Sequence, residues 1–213
     1  MLIDLHVHSR VSPCSRLSLN DILVHATGRG LDGICITDHH SMQALEQITP
    51  GLQSNGLRVF VGQEYSTDDG DFLIFGAPEA LPQGMSARVL LAAVAGMGAA
   101  AVAAHPLRPQ RSTSEFVVRE RLCRIVESVN GRNSASANLG MEKWRRRYDL
   151  IECAGSDAHT LEELGKTRTR FQIPIDTTAD LVHALNSGLC SPWPVVPSPV
   201  LNPIVSSPVA QQP

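Results

Sequence analysis

Short apolar runs that end in acid or histidine recur along the chain, separated by stretches with helical spacing. The run "LIDLHVHS" (2–9) reads as a strand: residues two apart share a face, so Leu5 and Val7 lie on one side and His6 and His8 on the other. Residues 18–30, "SLNDILVHATGRG", predict a helix with Ser18 as N-cap and Gly30 near its end. "GICITDHH" predicts a second strand, and "MQALEQITPGLQSNG" a helix that Pro50 and Gly51 interrupt or end. "RVFVGQEYS" and "FLIFGA" predict two further strands, and residues 87–105 a helix, a glycine turn and a strand. After a polar, arginine-rich loop with a short helix (108–121), "RIVESVNG" predicts a strand, "ASANLGMEKWRRRY" a helix and "LIECAGSDAH" the last strand. Strand–helix alternation without an internal repeat predicts an α/β fold built on a parallel sheet or barrel.

Composition narrows this picture. With 213 residues, 43% of them hydrophobic, the chain can bury one sizeable core. A net charge of -3 leaves no basic footprint for nucleic acid. Five cysteines (Cys14, Cys35, Cys123, Cys153, Cys190), an odd number without a CxxC pair, predict a reducing, cytoplasmic setting. No signal peptide is expected. The uncharged run 89–104 is shorter than a membrane span and is broken by Gly96 and Gly98, so no membrane association is expected. Half of the fourteen prolines fall in 192–213, which predicts an ordered domain over 1–191 followed by an extended or disordered Pro-rich tail.

The candidate chemistry sits at the predicted strand ends. Six of eight histidines fall there: His6, His8, His39, His40, His105 and His159, with Asp4, Asp38, Glu64 and Asp157 beside them. Parallel α/β folds carry their sites at those ends. Imidazole and carboxylate together suit zinc, manganese or iron better than calcium, and this many donors predict two or three divalent ions.

The ordered series "DLHVHS", "ITDHH", "GQE", "AHP" and "GSDAH" resembles the signature of the PHP (polymerase and histidinol phosphatase) superfamily, and "TLEELGKTRT" is similar to its small stand-alone members. The resemblance implies a distorted (β/α)7 TIM-like barrel and a metal-dependent phosphoesterase. It implies that His6, His8, Glu64 and Asp157 hold one metal, and that Glu64 bridges to a second held with His105. His39 and His159 would hold a third or shape that side of the pocket. Cys14 stands where relatives often have Asp or His, a candidate sulfur ligand. Where some relatives supply another histidine, this chain offers only Asn130 or Asn133.

Asp4 and Asp38 are expected either to orient the histidines or to ligate directly. His159 or His40 would protonate the leaving group, and Arg132, Lys166 and Arg168 are candidates for the substrate phosphate. The expected substrate is a small phosphomonoester, a nucleotide or a short oligonucleotide. Two other readings compete: a nuclease of the same superfamily, and a metal-retaining, non-catalytic scaffold that binds a partner. Oligomeric state is not legible.

Overall fold

The computed structural model describes residues 1–193. The proposed tail from residue 194 onward lies outside the described residues. The chain runs β1 (Leu2–Val7), α1 (Leu19–Ala26), β2 (Gly33–Ile36), β3 (Gly51–Leu52), β4 (Arg58–Val61), β5 (Gln63–Thr67) and β6 (Gly70–Phe75). It continues through α2 (Ala87–Gly96), β7 (Ala100–Ala103), α3 (Phe116–Arg119), β8 (Ile125–Asn130), α4 (Ala135–Gly140) and α5 (Glu142–Arg147). It closes with β9 (Ile151–Gly155), β10 (Arg168–Phe171), α6 (Thr178–Asn186) and β11 (Cys190–Trp193).

The strands form two mixed sheets, ordered β11-β10-β1-β2-β4-β3 and β5-β6-β7-β8-β9. The parallel pairs are β1–β2, β2–β4, β7–β8 and β8–β9. Strand pairing therefore draws two sheets, not one closed ring. They meet through two isolated parallel bridges, Val7 to Ala158 and His39 to Glu64.

That seam explains why "RVFVGQEYS" is two strands. The chain leaves the first sheet after Val61 and enters the second at Gln63. Gly62 makes the crossing possible, since a Cβ there would lie 2.4 Å from the Ile74 carbonyl oxygen.

Ser18 caps α1 as expected, in a reciprocal capping box with Asp21, and Gly30 adopts φ 75 at the end of the 3-10 turn that follows. Three elements differ from expectation. Residues 42–56 give a 3-10 turn at Gln43–Glu46 and then β3, because Pro50 and Gly51 (φ 121) redirect the chain to pair with β4. The helix over 135–148 breaks at Met141 into α4 and α5, where Gly140 weakens it. Two antiparallel strands, β10 and β11, follow the one expected to be last, and β11 takes in Pro192 and Trp193. Pro192 is tolerated because β11 is a sheet edge. Residues 89–104 form most of α2, a turn and β7, and among the described residues no helix is long and apolar enough to cross a membrane.

Candidate metal centre

Residues from both sheets converge on the seam. His6 ends the buried face of β1, and His8 follows just beyond it on the same side, its amide donating to the Ala158 carbonyl at 2.9 Å. His39 extends β2, Glu64 opens β5, His105 follows β7, and Asp157 and His159 follow β9. His6, His8, Glu64, His105, Asp157 and His159 are all buried. Their donor atoms form three overlapping groups, each within 4.8 Å: His6–His8–Asp157, His6–Glu64–His105 and His8–His39–His159. The groups overlap at His6 and His8, so the candidate donors form one continuous cluster.

The imidazoles of His6 and His8 are each aimed by a neighbour. Nδ1 of His6 lies 3.1 Å from Glu127 Oε1, which turns Nε2 toward Glu64 and Asp157, at 3.5 and 3.6 Å. Such a carboxylate–histidine pair fixes the tautomer and raises ligand basicity. Glu127 also accepts from the His105 amide at 2.8 Å and the Asn130 side chain at 2.8 Å. Nδ1 of His8 lies 3.2 Å from Ser12 Oγ, a hydroxyl that donates to Asp38 at 2.6 Å. Asp4 accepts from the Ser156 amide and hydroxyl and from Gly165, tying β1 to the loop that carries Asp157. Asp4 and Asp38 thus orient the site and belong to none of the three donor groups.

Backbone strain collects here too. His40, His105 and Asp157 have φ of 49, 32 and 57, a region that non-glycine residues rarely occupy.

The electrostatics follow from burial of opposite charges. Burial opposes a proton on His6, but the carboxylates of Asp157, Glu127 and Glu64 more than offset it and raise its pKa well above the ordinary value. His8 is raised as well, with burial again opposed by Asp157 and Glu64. Burial would lift Glu64 and Asp157, yet His6 and its neighbours hold both carboxyls well below the usual range. His159 goes the other way: burial and the nearby charge of His8 push it down to about 4, so it is neutral at neutral pH.

The donor set fits a transition-metal centre. With Nδ1 of His6 and of His8 engaged, their two Nε2 atoms face each other at 3.0 Å, and both point at carboxylate oxygens. Nitrogen and oxygen donors so crowded match zinc, manganese or iron.

Above the donors lies a cavity of about 200 Å³, lined by Cys14, His39 and His159 and by three arginines, Arg108, Arg111 and Arg132. Arg108 sits 2.7 Å from Asp157 Oδ2 and donates to Asn130 and Asn133 at 2.7 and 3.0 Å. Those two amides therefore serve Arg108 and are in no donor group. Arg132 lies 3.0 Å from His159 Nδ1.

Two arginine positions, Arg108 and Arg111, and the carboxylate Glu127 were not singled out from the sequence. Lys166 and Arg168 were, but neither lines the cavity. Lys166 is exposed, and Arg168 donates to the Arg29 and Gly30 carbonyls that end the 3-10 turn. His40 does not line it either: its ring packs edge-on against Tyr65 at 4.9 Å.

Cys14 stands at the cavity rim, exposed and outside the donor groups. Partial burial, with the charges of Glu64 and Asp157, pushes its thiol above the ordinary value in the metal-free protein. Cys14→Ser is expected to leave metal content unchanged in elemental analysis of the purified protein. Loss of one equivalent would make the sulfur a ligand.

Residues 4–154 match the PHP domain family, and residues 135–190 match the PHP-associated family. This chain belongs to the PHP domain family. The uncharacterized protein MJ0417 of Methanocaldococcus jannaschii is 30% identical to it over 190 residues, 85% of this chain and 75% of that one. PsfC from Pseudomonas syringae shares the fold at TM-score 0.71 and 22% identity, over 90% of each chain. A candidate metal-dependent phosphoesterase from Bifidobacterium adolescentis does so at TM-score 0.63 and 16% identity, over 86% of this PHP chain and 95% of its own. A lesion-specific endonuclease from Pyrococcus furiosus is similar at TM-score 0.65 and 15% identity, over 90% of this chain and 57% of that one.

Proposed function

We propose that this PHP-domain chain is a metal-dependent phosphoesterase that hydrolyses a small phosphomonoester. The observation that carries the reading is the set of three overlapping donor groups, two with a carboxylate and one all histidine, beneath a cavity rimmed by Arg108, Arg111 and Arg132. His6, His8, Glu64, His105 and Asp157 would hold two divalent ions, with Glu64 between them. His39 and His159 would hold a third. In the same reading, strands of the two sheets together make a distorted (β/α)7-like barrel, joined at the bridges beside the site. The five free cysteines fit a cytoplasmic enzyme.

Bound ions supply Lewis-acid polarisation of the phosphoryl group and of an attacking water. The protein does the rest. The three guanidiniums offer fork-shaped donors to the phosphoryl oxygens, and Asn130 and Asn133 hold Arg108 in place to do so. Ser12 and Glu127 fix which nitrogen of His8 and His6 is presented. Neutral His159 serves as a ligand and not as the leaving-group acid.

A nuclease is the second reading, favoured by the likeness to the Pyrococcus furiosus endonuclease. A net charge of -3 ranks it below a small substrate. The test is elemental analysis together with turnover of an aryl phosphate ester with added manganese. Metal below one equivalent, or no turnover beyond buffer, would overturn the proposal.

Charge balance predicts how metal loads. His6 is protonated near neutral pH in the metal-free protein, so a divalent cation must displace that proton. Its raised value stabilises the metal-free fold fully below about pH 6.5 and loses that contribution as pH rises through the folded value. The depressed carboxyls act oppositely, losing theirs only as pH falls through their folded values. Metal affinity is therefore expected to climb with pH up to the raised folded value of His6. Titration in weak buffer should release protons; pH-independent affinity would contradict the charge assignment.

A further inference from the structure

A second polar cavity, about 240 Å³ in volume, adjoins the metal cavity and shares Arg111 with it. Its walls are the turn joining β5 to β6, with Ser66, Thr67 and Asp71, and the loop after His105, with Gln110 and Ser112. Arg111 stands between the two spaces, donating to Asp71 at 2.7 Å and to Ser66 at 3.0 Å. The buried Asp71 carboxylate lies 3.9 Å from His105 Nε2, so only one side chain separates this groove from the metal donors.

The loop wall is built, not loose. Arg108, Arg111 and Thr113 donate their amides back to His105, Arg108 and Pro106, and Gln110 is held at φ 64. The side chains of Gln110 and Ser112 make no hydrogen bond within the described residues, so their polar atoms are free for a ligand.

We infer that this groove receives the leaving group of the phosphate ester, and that this group is a small polyol, as in a sugar or glycerol phosphate. The inference rests on the phosphoesterase reading and adds a substrate class to it. A phosphoryl group gripped by Arg111 in the metal cavity has its ester oxygen beside the groove. Hydroxyl and amide groups on the walls match hydroxyls on a ligand. No aromatic or imidazole ring lines the groove, so none is offered there for a nucleobase to stack upon. Exposed Asp68 at the groove also repels the second phosphate that a polynucleotide would bring.

The test compares two hydrolysis-resistant probes by calorimetry on the manganese-loaded protein: 3,4-dihydroxybutylphosphonate, which mimics glycerol 3-phosphate, and butylphosphonate, which lacks its hydroxyls. The hydroxylated probe is expected to bind about tenfold more tightly, the return on one or two good hydrogen bonds. Combining Gln110→Ala with Ser112→Ala should collapse that ratio toward one, and should cut kcat/KM for glycerol 3-phosphate relative to an aryl phosphate by a similar factor. Equal binding of the two probes, with aryl phosphate still hydrolysed, would overturn the groove and leave the phosphoesterase standing. Preference for a deoxynucleotide over glycerol 3-phosphate would overturn it as well. Failure of both binding and aryl phosphate turnover would bring down the phosphoesterase reading itself.

Discussion

Glu64→Gln is expected to yield a folded protein that binds at least one metal equivalent fewer than the parent and turns over phosphate esters roughly 10³-fold more slowly. No other carboxylate in the site faces so many imidazoles. Its oxygens lie 3.0 Å from His105 Nε2 and His39 Nδ1, 3.3 Å from His8 Nε2 and 3.5 Å from His6 Nε2. Burial alone would keep it protonated; the charge of His6 and the hydrogen bonds from His105 and His39 hold it ionised. The amide preserves shape and removes the charge that offsets repulsion between neighbouring cations. Asp157→Asn should be milder, weakening one ion and leaving the other partly bound. Metal titration of both variants decides the matter, and equal, mild losses would show that Glu64 is not shared.

Gly155→Ala is expected to damage stability and metal affinity together. Gly155 ends β9 against β1, where a methyl group would lie 2.5 Å from His6 Cβ and 2.6 Å from Glu127 Oε1. His6 cannot retreat without moving its strand, and the Glu127 carboxylate can do so only by turning away from His6. Overpacking of this kind costs about 1–3 kcal/mol. Prising His6 from Glu127 should weaken metal binding a further ~10- to 100-fold, the usual effect of disturbing a partner of a ligand histidine. Denaturant unfolding of the metal-free form separates the two effects. Gly28→Ala serves as control, because a methyl there meets nothing within 4 Å. Matching behaviour of the two variants would mean that the contact at Gly155 is slack.

The histidines were legible because each stands in a short apolar strand that ends in polar residues, and period-two spacing alone sets His6 beside His8. The second layer of the site was not. Glu127 sits in "RIVESVNG" like any polar residue of a half-buried strand, and its partner His6 is 121 positions away. Arg108 and Arg111 lie in a loop whose polarity looks like solvent exposure. Only the fold turns them inward, to Asp157 and Asp71. Lys166 and Arg168 misled for the converse reason, since a cation near a ligand motif need not share its end of the sheet. The break of "RVFVGQEYS" at Gly62 left no sign in hydrophobicity. β10 and β11 were missed because "RTRF" and "CSPW" carry few apolar residues between charge and proline. Their pairing is set by β1, far off in sequence.

Placement of the donors on a seam has a mechanical consequence. His6, His8 and His39 belong to one sheet and Glu64, His105 and Asp157 to the other, and a single hydrophobic cluster, with Ile3, Leu5 and Phe60 from the first sheet and Phe75, Val102 and Ile125 from the second, packs the two together. Cations seated there would add an electrostatic tie between sheets that a shared core already joins. Metal starvation would thus loosen the strand ends that carry the donors, while the shared core stays packed. In such an arrangement, bound metal would set local rigidity and reactivity through the same few atoms.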